Sequence, residues 1–175
     1  DNDFKGPVTA RVALAGSLNI PTVRVLTLTG VDAFWQKLHD FGFSSLTESA
    51  DFYGYSLALG SADVSLWMLA NAYRTLANNG IYSPAHFGEG ATEASREAMT
   101  AQASFIVNDI LSDRGARAIT FGWESPLSTP FWSVVKTGTS KDMRDNWCVG
   151  FSERYTVAVW VGNLDGSPMH DVSGI

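Results

Sequence analysis

Three apolar runs close this chain, at residues 131–137, 146–151 and 156–161, and they limit its fold more than any other feature. Each is rich in β-branched and aromatic residues, which suit a pleated, half-buried surface. Only short polar stretches separate them, at 141–145 and 152–155. Strands joined by such turns form an antiparallel meander. The chain ahead of them reads mostly as helices. Residues 7–16 carry Val8, Val12 and Ala15 at helical spacing, with Pro7 suited to a first turn. Ser17-Leu18-Asn19 interrupts that pattern. Pro21 then opens a second short helix that stops at Gly30. A third covers 31–41, with Phe34, Leu38 and Phe41 on one face and Gly42 as its stop.

The clearest helix is 65–79, where Leu66, Leu69, Tyr73, Leu76 and Ala77 make an apolar stripe. Ser65 is placed to cap it and Asn79-Gly80 to end it. Residues 83–92 read as a loop. A further helix is expected over 93–113, burying Ile106, Val107, Ile110 and Leu111, while 115–130, with two prolines, reads as irregular. Helices followed by strands indicate an α+β domain with helices packed on one antiparallel sheet. The division is a helical part over about 7–113, a connecting segment over about 114–130 and strands over about 131–162.

Composition narrows the function classes. A chain of 175 residues is one domain by default, and 45% hydrophobic content is enough for a core. The net charge of −6 argues against a nucleic-acid partner, which needs a basic face. A single cysteine, Cys148, rules out an internal disulfide and reads as a small buried apolar residue. No apolar segment is long enough to span a bilayer, and Asp1-Asn2-Asp3 is not the start of a signal peptide. Both ends look like cuts within a longer protein. His39, His86 and His170 have no metal-ligand spacing, so no metal and no cofactor is expected; His39 reads as a solvated position. Trp132, Trp147 and Trp160 fall in or beside the strands and are expected in the core.

Two short motifs remain as candidates for chemistry. Lys136-Thr137-Gly138-Thr139 ends the first apolar strand and combines a charge, hydroxyl donors and a residue with no Cβ. That set suits an anionic, carbonyl-bearing ligand. Ser17-Leu18-Asn19 sits between two helices, where a serine can relay a proton and an asparagine can hold an amide. From residue types alone, helix capping is the favoured explanation of Ser17 and Asn19.

Taken together, in this order, the motifs resemble those of penicillin-binding proteins. The run Ala13-Leu14-Ala15-Gly16-Ser17-Leu18-Asn19-Ile20-Pro21 resembles the Ser-x-Asn region of the bifunctional, class A members. Lys136-Thr137-Gly138-Thr139-Ser140-Lys141-Asp142, then Asp145-Asn146-Trp147 and Val149-Gly150-Phe151, are similar to their Lys-Thr-Gly strand and the next one. The resemblance continues through 156–163, then Gly166-Ser167-Pro168-Met169 and Asp171-Val172-Ser173-Gly174.

It implies a partial domain of the serine β-lactamase and D,D-transpeptidase fold, spanning 1–175. It also implies a peptidoglycan D,D-transpeptidase, in which a serine attacks the D-Ala-D-Ala carbonyl of a stem peptide and β-lactams acylate that serine. Ser17 would shuttle a proton, Asn19 would hold the substrate amide, and Lys136 would place positive charge beside Ser17. Thr137 and Thr139 would meet the substrate carboxylate, and the Thr139 N–H would serve an oxyanion hole. Gly138 would leave room for the substrate backbone. Implied partners are stem peptides and β-lactams. The implied setting is the extracytoplasmic side of the bacterial cytoplasmic membrane, with a membrane anchor and a glycosyltransferase domain elsewhere in the parent protein.

One part of the family pattern is missing. The nucleophilic Ser-x-x-Lys motif should precede Ser17, and the preceding sixteen residues lack it. Its one occurrence, Ser133-Val134-Val135-Lys136, is on an expected strand, where residues three apart point to opposite faces. The expectation is therefore a fragment that neither turns over substrate nor binds penicillin covalently. Its sheet would be left with an open edge that favours self-association. The alternative is a non-catalytic module on the same fold that grips peptides or β-lactams. The active-site reading expects Ser17 Oγ and Lys136 Nζ within hydrogen-bond reach or one intervening water, whereas a wide separation would favour a structural α+β domain with chance motifs.

Overall fold

A computed structural model describes residues 6–88 and 94–175. Helices α1 (Ala10–Ala15) and α2 (Asn19–Thr29) come first. The Thr9 hydroxyl accepts from the Val12 N–H, so α1 starts after Pro7 rather than at it. Helix α2 starts two residues before Pro21, which takes a first-turn position whose N–H has no helical partner. Gly30 ends α2 at φ 86° and leads into α3 (Val31–Asp40). The Gly42 stop has φ 89°, and a Cβ there would run into the Tyr82 ring. A short helix α4 (Ala50–Tyr53) and a 3₁₀ turn, Gly54–Leu59, follow; neither has enough apolar periodicity to be read from the sequence. Helix α5 (Leu66–Ala77) is capped by Ser65, as its pattern predicts.

Two expectations change here. The helix expected over 93–113 is α6 (Ala101–Ser112), capped by Thr100. Residue 93 lies outside the described residues, and Arg96–Glu97 forms strand β2 instead, paired with β1 (Ile81–Tyr82). Arg96 lies over the Tyr82 ring at 4.0 Å and donates to the His39 and Asp40 carbonyls, so these tertiary contacts hold it extended. On α6, Leu111 is buried as expected but Ile106 is exposed. The segment expected to be irregular from 115 contains α7 (Arg114–Phe121). The Asp113 carboxylate caps it, accepting from the Ala116 N–H at 2.9 Å, and Gly115 is tolerated in the first turn.

The three strands form one antiparallel sheet in the order β3 (Val134–Thr139), β4 (Asp145–Phe151), β5 (Thr156–Gly162). Val134 faces Phe151, Lys136 faces Val149, and Thr139 faces Asn146. Across the next pair, Trp147 faces Trp160. Val134 and Phe151 bury against Leu111, with Leu14, Tyr73, Leu76 and Val107 around them. A second cluster, built on Leu26, Phe41, Phe43, Leu46 and Leu57, holds the helices together. Helices packed on an antiparallel sheet make this an α+β fold.

Several side chains differ from expectation. Trp132 is half-exposed rather than core, held edge-on to Phe151 at 6.0 Å, whereas Trp147 and Trp160 are half-buried against each other. His39 is packed rather than solvated, its ring 4.2 Å from that of Trp35 and its Nε2 buried without a partner. Cys148 is half-buried, and that burial pushes its thiol pKa up.

Candidate active site

Ser17 occupies the turn that ends α1. Its N–H donates to the Leu14 carbonyl and the Leu18 N–H to the Ala13 carbonyl, which closes the helix in a tight reversal. This geometry puts Ser17 in the left-handed region, at φ 57°. Glycine is the usual residue there, because a Cβ crowds the following carbonyl. The Ser17 side chain caps neither helix; α2 has no side-chain cap at its start. Instead Ser17 Oγ accepts a hydrogen bond from Lys136 Nζ at 2.6 Å, across 119 residues of sequence.

Lys136 reaches Ser17 from the sheet. Its Nζ also donates to the Thr137 carbonyl at 2.7 Å. Burial beneath the helices disfavours the charged amine and lowers its pKa from 10.5 to about 8. A lysine so tuned can both hold a proton and release one near neutral pH. Because the ammonium donates to Ser17 Oγ, the Ser17 hydroxyl proton is free for another acceptor.

Of the other expected residues, Thr137, Gly138 and Thr139 share a cleft with Lys136, and neither Ser17 nor Asn19 lines it. Lys136, Thr137, Gly138, Thr139 and Ser140 line a cleft of about 390 Å³, faced by Leu59, Gly60 and Val64. Strand β3 is the edge of its sheet among the described strands, so no described strand pairs with its outer side. A Cβ built on Gly138 would meet only the Trp147 side chain, at 3.7 Å, an ordinary contact. Nothing within the described chain requires a glycine at that position. Asn19 opens α2 two residues beyond Ser17 and is exposed, with no hydrogen bond to Ser17 or Lys136. Ser133 lies just before β3 and pairs with the Thr129 hydroxyl at 2.8 Å.

Several supporting residues were missed from the sequence. Thr120, on α7, donates to the Gly16 carbonyl at 2.7 Å and so braces the Ser17 turn. Arg11 on α1 pairs with Asp109 and Asp113, which ties that turn to α6 and α7. At the far end of the motif, the Asp145 carboxylate accepts from the Ser140 hydroxyl at 2.9 Å and the Trp160 indole N–H at 3.0 Å. These bonds secure the turn that follows Thr139. A capping Asp113 just ahead of α7 is a signal that could have revealed the helix. The pairings across the fold leave no such local mark.

Comparison with known proteins identifies the family of the chain. The family described as penicillin binding protein transpeptidase domain matches residues 1–172. Penicillin-binding protein 1C of Escherichia coli is 32% identical over 169 residues, covering 97% of this chain and 21% of that protein. The chain thus spans about a fifth of the length of the curated relatives it matches. Penicillin-binding protein 1A of Haemophilus influenzae superposes with a TM-score of 0.82 at 20% identity, over 98% of this chain and 32% of that one. Penicillin-binding protein A of Mycobacterium tuberculosis, as its imipenem acyl-enzyme complex, gives 0.71 at 20% identity, over 95% and 44%. This chain belongs to the penicillin-binding protein transpeptidase domain family.

Proposed function

We propose that this chain is the part of a peptidoglycan D,D-transpeptidase that receives the substrate and moves protons for an acylating serine supplied from outside it. The observation that carries this reading is the 2.6 Å contact from Lys136 Nζ to Ser17 Oγ. In the proposed mechanism, Lys136 holds positive charge beside Ser17, and Ser17 relays a proton between the nucleophile and the leaving amine. Asn19, exposed at the start of α2, holds the substrate amide. A D-Ala-D-Ala peptide lies along the outer edge of β3, in the manner of an added strand. The Thr137 and Thr139 hydroxyls receive its carboxylate, the Thr139 N–H polarises the scissile carbonyl, and Gly138 leaves space for its backbone.

The serine that forms the acyl-enzyme is not identified in this chain. Ser133, the one serine three residues before a lysine, is bonded to Thr129 at the entry to a strand. The parent protein is accordingly the transpeptidase and the β-lactam target. By its relatives' family, it works on the outer side of the bacterial cytoplasmic membrane, held there by an anchor outside this chain.

Intact-mass measurement after incubation with penicillin G tests the assignment. The 175-residue chain should keep its mass, and the parent protein should gain one acyl group. A stoichiometric adduct on the chain alone would place the nucleophile among its own serines and overturn the proposal. A parent protein that gains no adduct would favour a non-catalytic peptide-binding module on this fold.

A further inference from the structure

A second concavity, of about 590 Å³, lies at the other end of the sheet from Lys-Thr-Gly and shares no lining residue with the first cleft. It opens between the ends of α5 and α6, the residues entering β3, and the turn from β4 to β5. Thr139 and Val134 bracket β3, so the two sites stand roughly 16 Å apart along that strand. The function proposed above makes no use of it.

Its chemistry is distinctive. Three aromatic side chains on its wall are exposed, at 69% for Phe105, 49% for Trp132 and 71% for Tyr155. Trp132 is fixed as a plate by its edge-on contact with Phe151. Exposed amides of Asn78 and Asn79 stand beside the rings at the end of α5. Asn108, also in the wall, gives its amide N–H to the Leu76 carbonyl, while its Oδ1 is buried without a donor. Of its charged groups, Arg74 is bonded to Asn71 and Ser83 and Asp109 to Arg11, which leaves Arg154 and Glu153, one of each sign.

An anionic or cationic ligand would gain nothing from a wall whose charges cancel. A purely apolar one would strand the amides. A sugar ring meets both conditions, since its C–H face packs on an aromatic plate while its hydroxyls bond to amides and charged side chains at the rim. We propose that this groove binds a neutral saccharide. That the saccharide is the glycan to which the peptide substrate is attached rests on the function proposed above; the saccharide class rests on the groove alone.

Titration of the 175-residue chain with chitotetraose and with maltotetraose, read by tryptophan fluorescence, tests it. Saturable quenching is expected with at least one of them. Phe105→Ala and Tyr155→Ala remove exposed rings and should leave the far-UV circular dichroism unchanged, and each should weaken binding about tenfold. Preference for chitotetraose supports an N-acetylated glycan; equal binding supports a saccharide site without that preference. No saturable response to either sugar overturns the proposal, as does a response that both variants leave intact. So would a concentration-dependent dimer that the two substitutions abolish, since a second copy would then fill the groove. None of these readouts depends on acylation, so penicillin labelling can fail or succeed independently.

Discussion

Gly138 and Lys136 are two residues of β3 that packing alone does not call for. Glycine weakens a strand, yet a Cβ here would make only an ordinary contact with the Trp147 side chain. Gly138→Ala should therefore leave stability unchanged or raise it by up to about 1 kcal/mol, because alanine restricts the unfolded chain. In the parent protein the same change should slow labelling by a fluorescent penicillin, since the methyl group projects into the cleft. A loss of stability measured by urea unfolding would show that the glycine serves the fold instead. Lys136 carries a cost of the opposite kind. Its folded pKa of about 8 lies below the ordinary 10.5, so between those values the unfolded chain binds more protons than the folded one. Stability should rise with pH across that window through this group, and the penalty should be constant below it. Comparing urea midpoints of the native chain and Lys136→Met across the window isolates the effect. Parallel pH curves for the two would mean that burial does not disfavour this charge.

Helix α7 is the element on which the Ser17 turn depends. Asp113 caps it and also pairs with Arg11, and the cap bond to the Ala116 N–H is foremost in holding its carboxyl below the usual range. A depressed carboxylate pKa contributes stability above the unfolded value and loses it as pH falls through the folded one. Asp113→Ala should cost about 1–2 kcal/mol through the lost cap, measured by urea unfolding near neutral pH. Asp113→Asn should cost less, because asparagine caps a helix about as well and only the half-exposed ion pair is lost. Equal losses for the two would shift the weight from the cap to Arg11. Thr120 extends the same logic from α7 to Gly16, so the helix least legible in the sequence supports the turn that carries Ser17.

At the scale of the whole molecule, the sheet ends at β5 among the described residues. That strand carries no charged residue, and Val157, Val159 and Val161 are exposed on one face. Edges of this kind pair with other chains unless they are covered. The isolated chain should associate at raised concentration, and Val159→Lys should return it to monomer on size-exclusion chromatography. A monomer across the whole concentration range would count against this. The order of the elements, the three strands, the Ser65 cap and the two motifs could be read from the sequence, because each depends on near neighbours: side-chain period, turn residues and caps. The same reading missed α7 and the β1–β2 pair, where capping by Asp113 and the Arg96–Tyr82 contact outweigh local pattern. It also left Ser17 between a helix cap and a site residue. Only the tertiary structure shows that Ser17 caps neither helix and that Lys136, 119 residues away, reaches its hydroxyl. Local propensity carries no information about which strand passes a given turn; burial of Val134 and Phe151 under α5 and α6 sets that meeting, and the same burial lowers the lysine's pKa.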